Sequence, residues 1–194
     1  MTQKQYYDVK TPEFRMSFPH LFEPSRFEGE EQGSYSVLMV FDKDTDLKPM
    51  KQAVLQVAKE KWPKHDFSKG LPAGVRSPFC DGNEKVESWG EEFADKVYVR
   101  AKTKKRPPVV DARGIPVEDA EKAYAGCYAR AVVTPSVYDK AGNKGITFYL
   151  AAVQILRDGE RLGSGGGAKA LAMFEPITQE EEDLSFSATS LADI

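Results

Sequence analysis

A small antiparallel β-barrel with one clear helix, a β-rich α+β arrangement, is the fold class the sequence predicts. Three observations predict it. Several segments alternate apolar and polar residues at the period of a strand. Two of the longest, residues 127–138 and 145–156, flank "DKAGNKG", a loop that fits a hairpin. Helical patterns are also too few to alternate with the strands, as a doubly wound parallel sheet requires.

Each element follows from a local pattern. "TPEFRMSFPHLF" sets Phe14, Met16 and Phe18 against Arg15 and Ser17, which reads as a strand with those three on its core face. "SYSVLMVF" reads as a mostly buried strand. "DLKPMKQAVLQVAKEKW" is the clear helix, with Thr45 or Asp46 to cap it, Met50, Ala53, Val54, Val57 and Ala58 at helical spacing, and Pro63 to end it. Residues 63–92 are rich in Pro, Gly and polar residues and read as loop. "KVYVRAKT" and "PVVD" are strands, and "VEDAEKAYAG" reads as a short helix stopped by Gly126. "CYARAVVTPSVY" and "GITFYLAAVQIL" are the hairpin strands, and "GERLGSGGGA" is a flexible joint.

Composition narrows the class. A chain of 194 residues with 41% hydrophobic and 29% charged residues reads as a soluble globular domain. The opening "MTQKQYYDVK" lacks an apolar h-region, so no secretory signal is expected, and no apolar run is long enough to span a bilayer. Two cysteines make no disulfide framework, so a reducing cytosol is the simplest compartment. The formal net charge of −3 is unevenly spread. Residues 175–194 hold six acidic residues and no Lys or Arg, which leaves 27 basic against 24 acidic residues in 1–174. A basic body with an acidic tail points toward nucleic-acid contact.

The basic strand sharpens this. Six cations and no acid lie between Lys96 and Arg106. Alternation puts Lys96, Tyr98, Arg100 and Lys102 on one face, continuing into Lys104, Lys105 and Arg106, and Val97, Val99 and Ala101 on the other. The strand at 127–138 places Tyr128 and Arg130 together in the same way. If the two strands are neighbours, Tyr98, Arg100, Tyr128 and Arg130 form one platform. Cations that track phosphates and rings that stack on bases are the chemistry of single-stranded nucleic-acid binding. The competing reading is a solvated face whose lysines discourage edge pairing.

Other motifs fail. "DKDTDL" has Leu47 and Ala53 where a calcium loop needs Gly and Glu. "GSGGGAKA" has Ala168 and Ala170 where a phosphate loop needs Gly and Ser or Thr. His20, His65, Cys80 and Cys127 fit no zinc spacing. No nucleophile–base pair stands out. The expectation is no catalytic residue, no metal and no cofactor.

"KGLPAGVRSPFCDGNE", "VYVRAKTKKRPPVVD", "YAGCYARAVVTPSVYD", "GITFYLAAVQILRDGERLG" and the acidic end, in that order, resemble a bacteriophage family of single-stranded DNA-binding proteins, over roughly residues 10–194. The resemblance implies an OB-fold-like barrel over 1–174, a disordered acidic C-terminal tail over 175–194, and no catalysis. It also implies a role coating single strands in replication or recombination, in the cytoplasm of a bacterial host. Replication or recombination proteins are the expected partners of the tail, and no membrane is expected. The common OB-fold carries its helix between the third and fourth strands, so an elaborated or rearranged barrel is expected here. The alternatives from other classes are a phage assembly protein that turns its basic face to a protein partner, and a metal-dependent nuclease.

Overall fold

The structure is a computed structural model, and it describes residues 7–26, 32–140 and 142–162. Nine strands occur among these residues: β1 (Val9–Lys10), β2 (Phe14–Ser25), β3 (Ser34–Asp42), β4 (Val75–Arg76), β5 (Phe79–Asp81), β6 (Lys96–Thr103), β7 (Val109–Val110), β8 (Tyr128–Lys140) and β9 (Asn143–Arg157). The helices are α1 (Lys48–Lys61) and the single-turn α2 (Val86–Trp89), with short 3-10 turns between strands. The segment 175–194 and the boundary expected before it lie outside the described residues.

Five strands close a ring in the order β2-β3-β6-β9-β8 and back to β2. Four seams are antiparallel and the β6–β9 seam is parallel. A ring of five strands cannot alternate direction all the way round, so one parallel seam is required. β1, β4, β5 and β7 extend the ring at its margins.

The interior follows from alternation along each strand. Val99 and Ala101 of β6, Ala129, Ala131 and Val133 of β8, and Ile146, Phe148 and Leu150 of β9 all point inward. Small residues on two strands leave room for Phe14, Phe41, Phe148, Met16 and Met39, as a narrow barrel needs. Phe14 meets Phe41 edge to face at 5.8 Å, and Phe79 meets Phe148 at 6.0 Å.

The helix α1 forms where its periodicity predicts. The expected cap by Thr45 or Asp46 does not form: the N-cap is Leu47 with no side-chain cap, Asp46 Oδ1 only accepts the Lys48 amide at 3.0 Å beside it, and Pro49 lies in the first turn. Met50, Ala53, Val54 and Ala58 enter the core, and the helix packs against β8. It lies between the second and third strands of the ring, so the barrel is elaborated there without a change in strand order.

Two expectations are corrected. Residues 117–126 form no α-helix. Asp119 accepts the Glu121 amide and closes only a 3-10 turn at Ala120–Lys122, while Val117 is tied to Val109 and Gly126 donates to Met16 O at 2.8 Å. Ten residues are too few to hold a helix against those ties. Gly126 has φ +115°, and a Cβ there would stand 1.9 Å from Glu160 O, so the position takes only glycine. The short helix lies instead in 63–92, the stretch read as loop, which also supplies β4 and β5.

Candidate nucleic-acid interface

The outer face of β2, β3 and β6 is built from the cross-strand register. Lys96 stands beside Asp42, Tyr98 beside Val40, Arg100 beside Leu38, and Lys102 beside Ser36. On the other side of β3, Arg15 faces Val40, Ser17 faces Leu38, and His20 faces Ser36. Between Ser17 and His20 the register shifts by one residue, a β-bulge at Phe18 and Pro19. The bulge corrects the expectation for Phe18. The ring leaves the core face, is 46% exposed, and sits on backbone with φ +43°, rare for a bulky residue.

Half of this face is covered. Residues 82–93 fold over it and make a second, smaller core of Leu38, Val40 and Phe93, against which Val86, Trp89 and Tyr98 pack. Asp81 Oδ1 accepts the Asn83 amide at 3.0 Å, and Asn83 Oδ1 accepts the Asp95 amide at 3.0 Å, so both ends of the flap are pinned. Gly82 lies so close to Phe93 O that a Cβ would come within 2.2 Å. The flap delivers Trp89, whose ring meets Phe18, Phe93 and Tyr98, each edge to face at 5.3 Å. Phe18, His20, Ser36, Leu38, Trp89 and Arg100 line an open pocket of about 250 Å³.

The nine residues expected to bind are thereby sorted. Arg100 and Lys102 are exposed, Arg100 beside Phe18 and Trp89 and Lys102 in the wall of the neighbouring hollow with Lys104 and Lys105. Lys104 and Lys105 follow at its edge, with Lys104 Nζ donating to Gln32 O at 2.8 Å. Arg106 pairs with Glu118 at 2.9 Å and lies over the Phe22 ring at 5.0 Å. Lys96 pairs with Asp42 at the opposite end, where Lys43 and Asp95 also pair. That end is therefore close to neutral.

The proposed Tyr98–Tyr128 platform does not form, because β6 and β8 are not neighbours. Tyr128 is stacked under Arg157 at 3.5 Å, and Arg157 pairs with Glu13 at 2.7 Å. Arg130 lies on the β8–β9 surface, where its Nε donates to Gln154 Oε1 at 2.8 Å. Pairing between strands distant in sequence decides which rings meet, and alternation within a strand carries no sign of it.

Tyr98 belongs to the small core. Burial first, and then the adjacent Cys80, push its hydroxyl up to about 12, with Arg100 opposing. A phenol whose folded pKa is raised contributes stability that is intact below the ordinary tyrosine pKa of about 10 and lost as pH rises through the folded value. Thermal melts of wild type and Tyr98→Phe are expected to diverge between pH about 10 and about 12, with wild type losing more. Parallel curves would place the Tyr98 hydroxyl in free solvent.

Two aromatics on this surface, Phe18 and Trp89, escape a reading by pattern. Pro19, inside a strand pattern, was the available signal for the bulge. Trp89 has no such signal, since a single helical turn between loops carries no periodicity.

The ring order and the parallel seam define an OB-type barrel. Its second and third strands, β3 and β6, form the face on which barrels of this class bind oligonucleotides; here β6 carries the cations Arg100 and Lys102, and the adjoining β2 carries the exposed Phe18 ring. The profile of the family described as the Enterobacter phage Enc34 ssDNA-binding protein matches residues 7–185. A curated relative, the putative protein p50 of Acyrthosiphon pisum secondary endosymbiont phage 1, is 32% identical over 90% of this chain and 96% of its own length. The chain belongs to the Enc34 single-stranded DNA-binding protein family. The fold agrees. The bacteriophage Enc34 single-stranded DNA-binding protein in complex with ssDNA superposes with a TM-score of 0.67 at 24% identity, over 81% of this chain and 90% of that one. The single-stranded DNA-binding protein gp2.5 of bacteriophage T7 superposes with a TM-score of 0.60 at 13% identity, over 79% and 93%.

Proposed function

We propose that this protein coats single-stranded DNA without strong sequence preference, in the cytoplasm of a bacterial host, during phage replication or recombination. It acts by binding and carries out no catalysis. The observation that carries the reading is the uncovered part of the β2–β3–β6 face. There an exposed Phe18 ring and Trp89 stand beside Arg100 in one shallow pocket, and Lys102 follows two residues on along β6. Bases stack on the rings and phosphates lie against Arg100, Lys102, Lys104 and Lys105. Stacking tolerates any base because every base has a π-face. The other candidates stand away from that pocket: Tyr98 packs into the small core, Lys96 and Arg106 lie toward the two ends of β6 in ion pairs, and Tyr128 and Arg130 stand on β8. Fluorescence anisotropy with a labelled homopyrimidine strand tests the reading. Binding that a mixed-sequence strand matches, and that a duplex does not, is expected. Preference for the duplex contradicts it.

The acidic segment extends this reading. The DNA-binding domain spans 1–174, and residues 175–194 form a tail that competes with DNA for the cationic face and offers itself to replication or recombination proteins once displaced. A tethered anion acts at high effective concentration. Truncation after Phe174 removes six acidic residues, so affinity for single strands is expected to rise, most at low salt where screening is weakest. Equal or weaker binding by the truncated protein at every salt concentration contradicts tail competition.

A further inference from the structure

A second exposed ring lies across β6 from the pocket just described. Tyr149 of β9 is 45% exposed. In the parallel seam it is the register partner of Lys102, and on its far side it pairs with Thr134. One row of outward residues thus runs His20, Ser36, Lys102, Tyr149 across four strands of the barrel. At about 4.8 Å per strand this row is about 15 Å long. Beside Tyr149 is an open hollow of about 390 Å³ whose walls include Lys102, Lys104, Lys105, Ser136 and Thr147. On its other side lies a separate hollow with Asp8, Glu60 and Asp139 in its walls against the single cation Lys61 among the described residues, Asp139 itself being paired with Lys144 at 3.9 Å. The ring therefore stands on a boundary between cationic and acidic ground.

We propose that Tyr149 is a second base-stacking site, reached by a strand that crosses Lys102 from the Phe18–Trp89 pocket, and that the acidic hollow beyond it ends the path. This rests on the reading of the β2–β3–β6 face as the DNA site. Three features support it. An exposed aromatic ring is continuous with that face through a lysine. The hollow on the near side has the charge that phosphates need. The far side carries more carboxylates than cations, an excess that repels them. The two sites together set the length of strand the protein occupies, with Phe18 and Trp89 at one end and Tyr149 at the other.

Oligonucleotide length separates the two sites. A homopyrimidine strand of about 2 nucleotides cannot span the row of about 15 Å, whereas one of about 16 nucleotides matches the upper site size of an OB-type domain. Tyr149→Ala is expected to weaken the longer strand by about 5- to 150-fold, the loss of one stacked base, and to leave the shorter one unchanged. Tyr149→Phe retains the ring and is expected to bind both as wild type does. Tyr149→Leu preserves apolar bulk without a stacking face, so it carries the same test if the Ala variant melts early. Unchanged affinity of Tyr149→Leu for the longer strand overturns the proposal. An equal loss on both lengths also overturns it, because Tyr149 would then belong to the first pocket. Wild-type protein that binds neither strand removes the underlying reading of the face, a failure distinct from either.

Discussion

Phe148→Ala is expected to destabilise the barrel by about 3–5 kcal/mol, lowering the melting temperature by about 6–20 °C in a domain of this size. Phe148 has no exposed surface and packs edge to face against Phe79. It is also the register partner of Ala101 in the parallel seam. Ala101 has no bulk to follow a shrinking neighbour, so a ring-sized void would remain. The same seam orients Lys102 and Tyr149 outward one residue further on. Affinity for single strands is therefore expected to fall at temperatures where Phe148→Ala is still folded, as the seam loosens. A melting temperature within a few degrees of wild type, measured by circular dichroism, would show that the core repacks and that the seam does not depend on this ring.

Phe18→Ala has the opposite signature. Its ring is nearly half exposed and touches Trp89 at the mouth of the pocket. Removing it is expected to weaken single-strand binding by roughly 1–3 kcal/mol, with little change in the slope of affinity against salt. The backbone at Phe18 has φ +43°, a conformation that costs a bulky residue of order 1–3 kcal/mol. Glycine carries no such cost. Phe18→Gly is thus expected to bind as poorly as Phe18→Ala and to be no less stable than it. Strain tolerated at an exposed aromatic is the mark of a residue placed for contact. Unaltered affinity in both variants would remove Phe18 from the interface.

The two residues also show where the sequence is readable. Phe148 follows from alternation within a long strand, as do Val99 and Ala101, because a period of two persists wherever a strand is regular. The same rule put Lys96, Tyr98, Arg100 and Lys102 on one outward face of β6, which the register confirms. Phe18 breaks the rule because a single inserted residue reverses every side chain after it. Tyr98 and Tyr128 each sit on the face assigned, yet never meet, because β6 pairs with β3 and β9 while β8 pairs with β2. Trp89 depends on a flap whose form is fixed by Asp81, Asn83 and Gly82, through contacts to Phe93 and Asp95 ten or more residues away. The helix expected at 117–126 is only a 3-10 turn at Ala120–Lys122 for a related reason: tertiary ties override a short propensity.

The central claim is that a cationic, aromatic face of the barrel holds single-stranded DNA by its phosphates and by stacking. Its most direct test is the salt dependence of binding to a homopyrimidine oligonucleotide, followed by fluorescence anisotropy. With about five phosphates engaged and about −0.7 per phosphate on a single strand, the slope of log affinity against log salt is expected near −3.5. Arg100→Ala and Lys102→Ala together are expected to reduce that slope by about two phosphates' worth. A slope indistinguishable from zero, or no binding at low salt, contradicts the account.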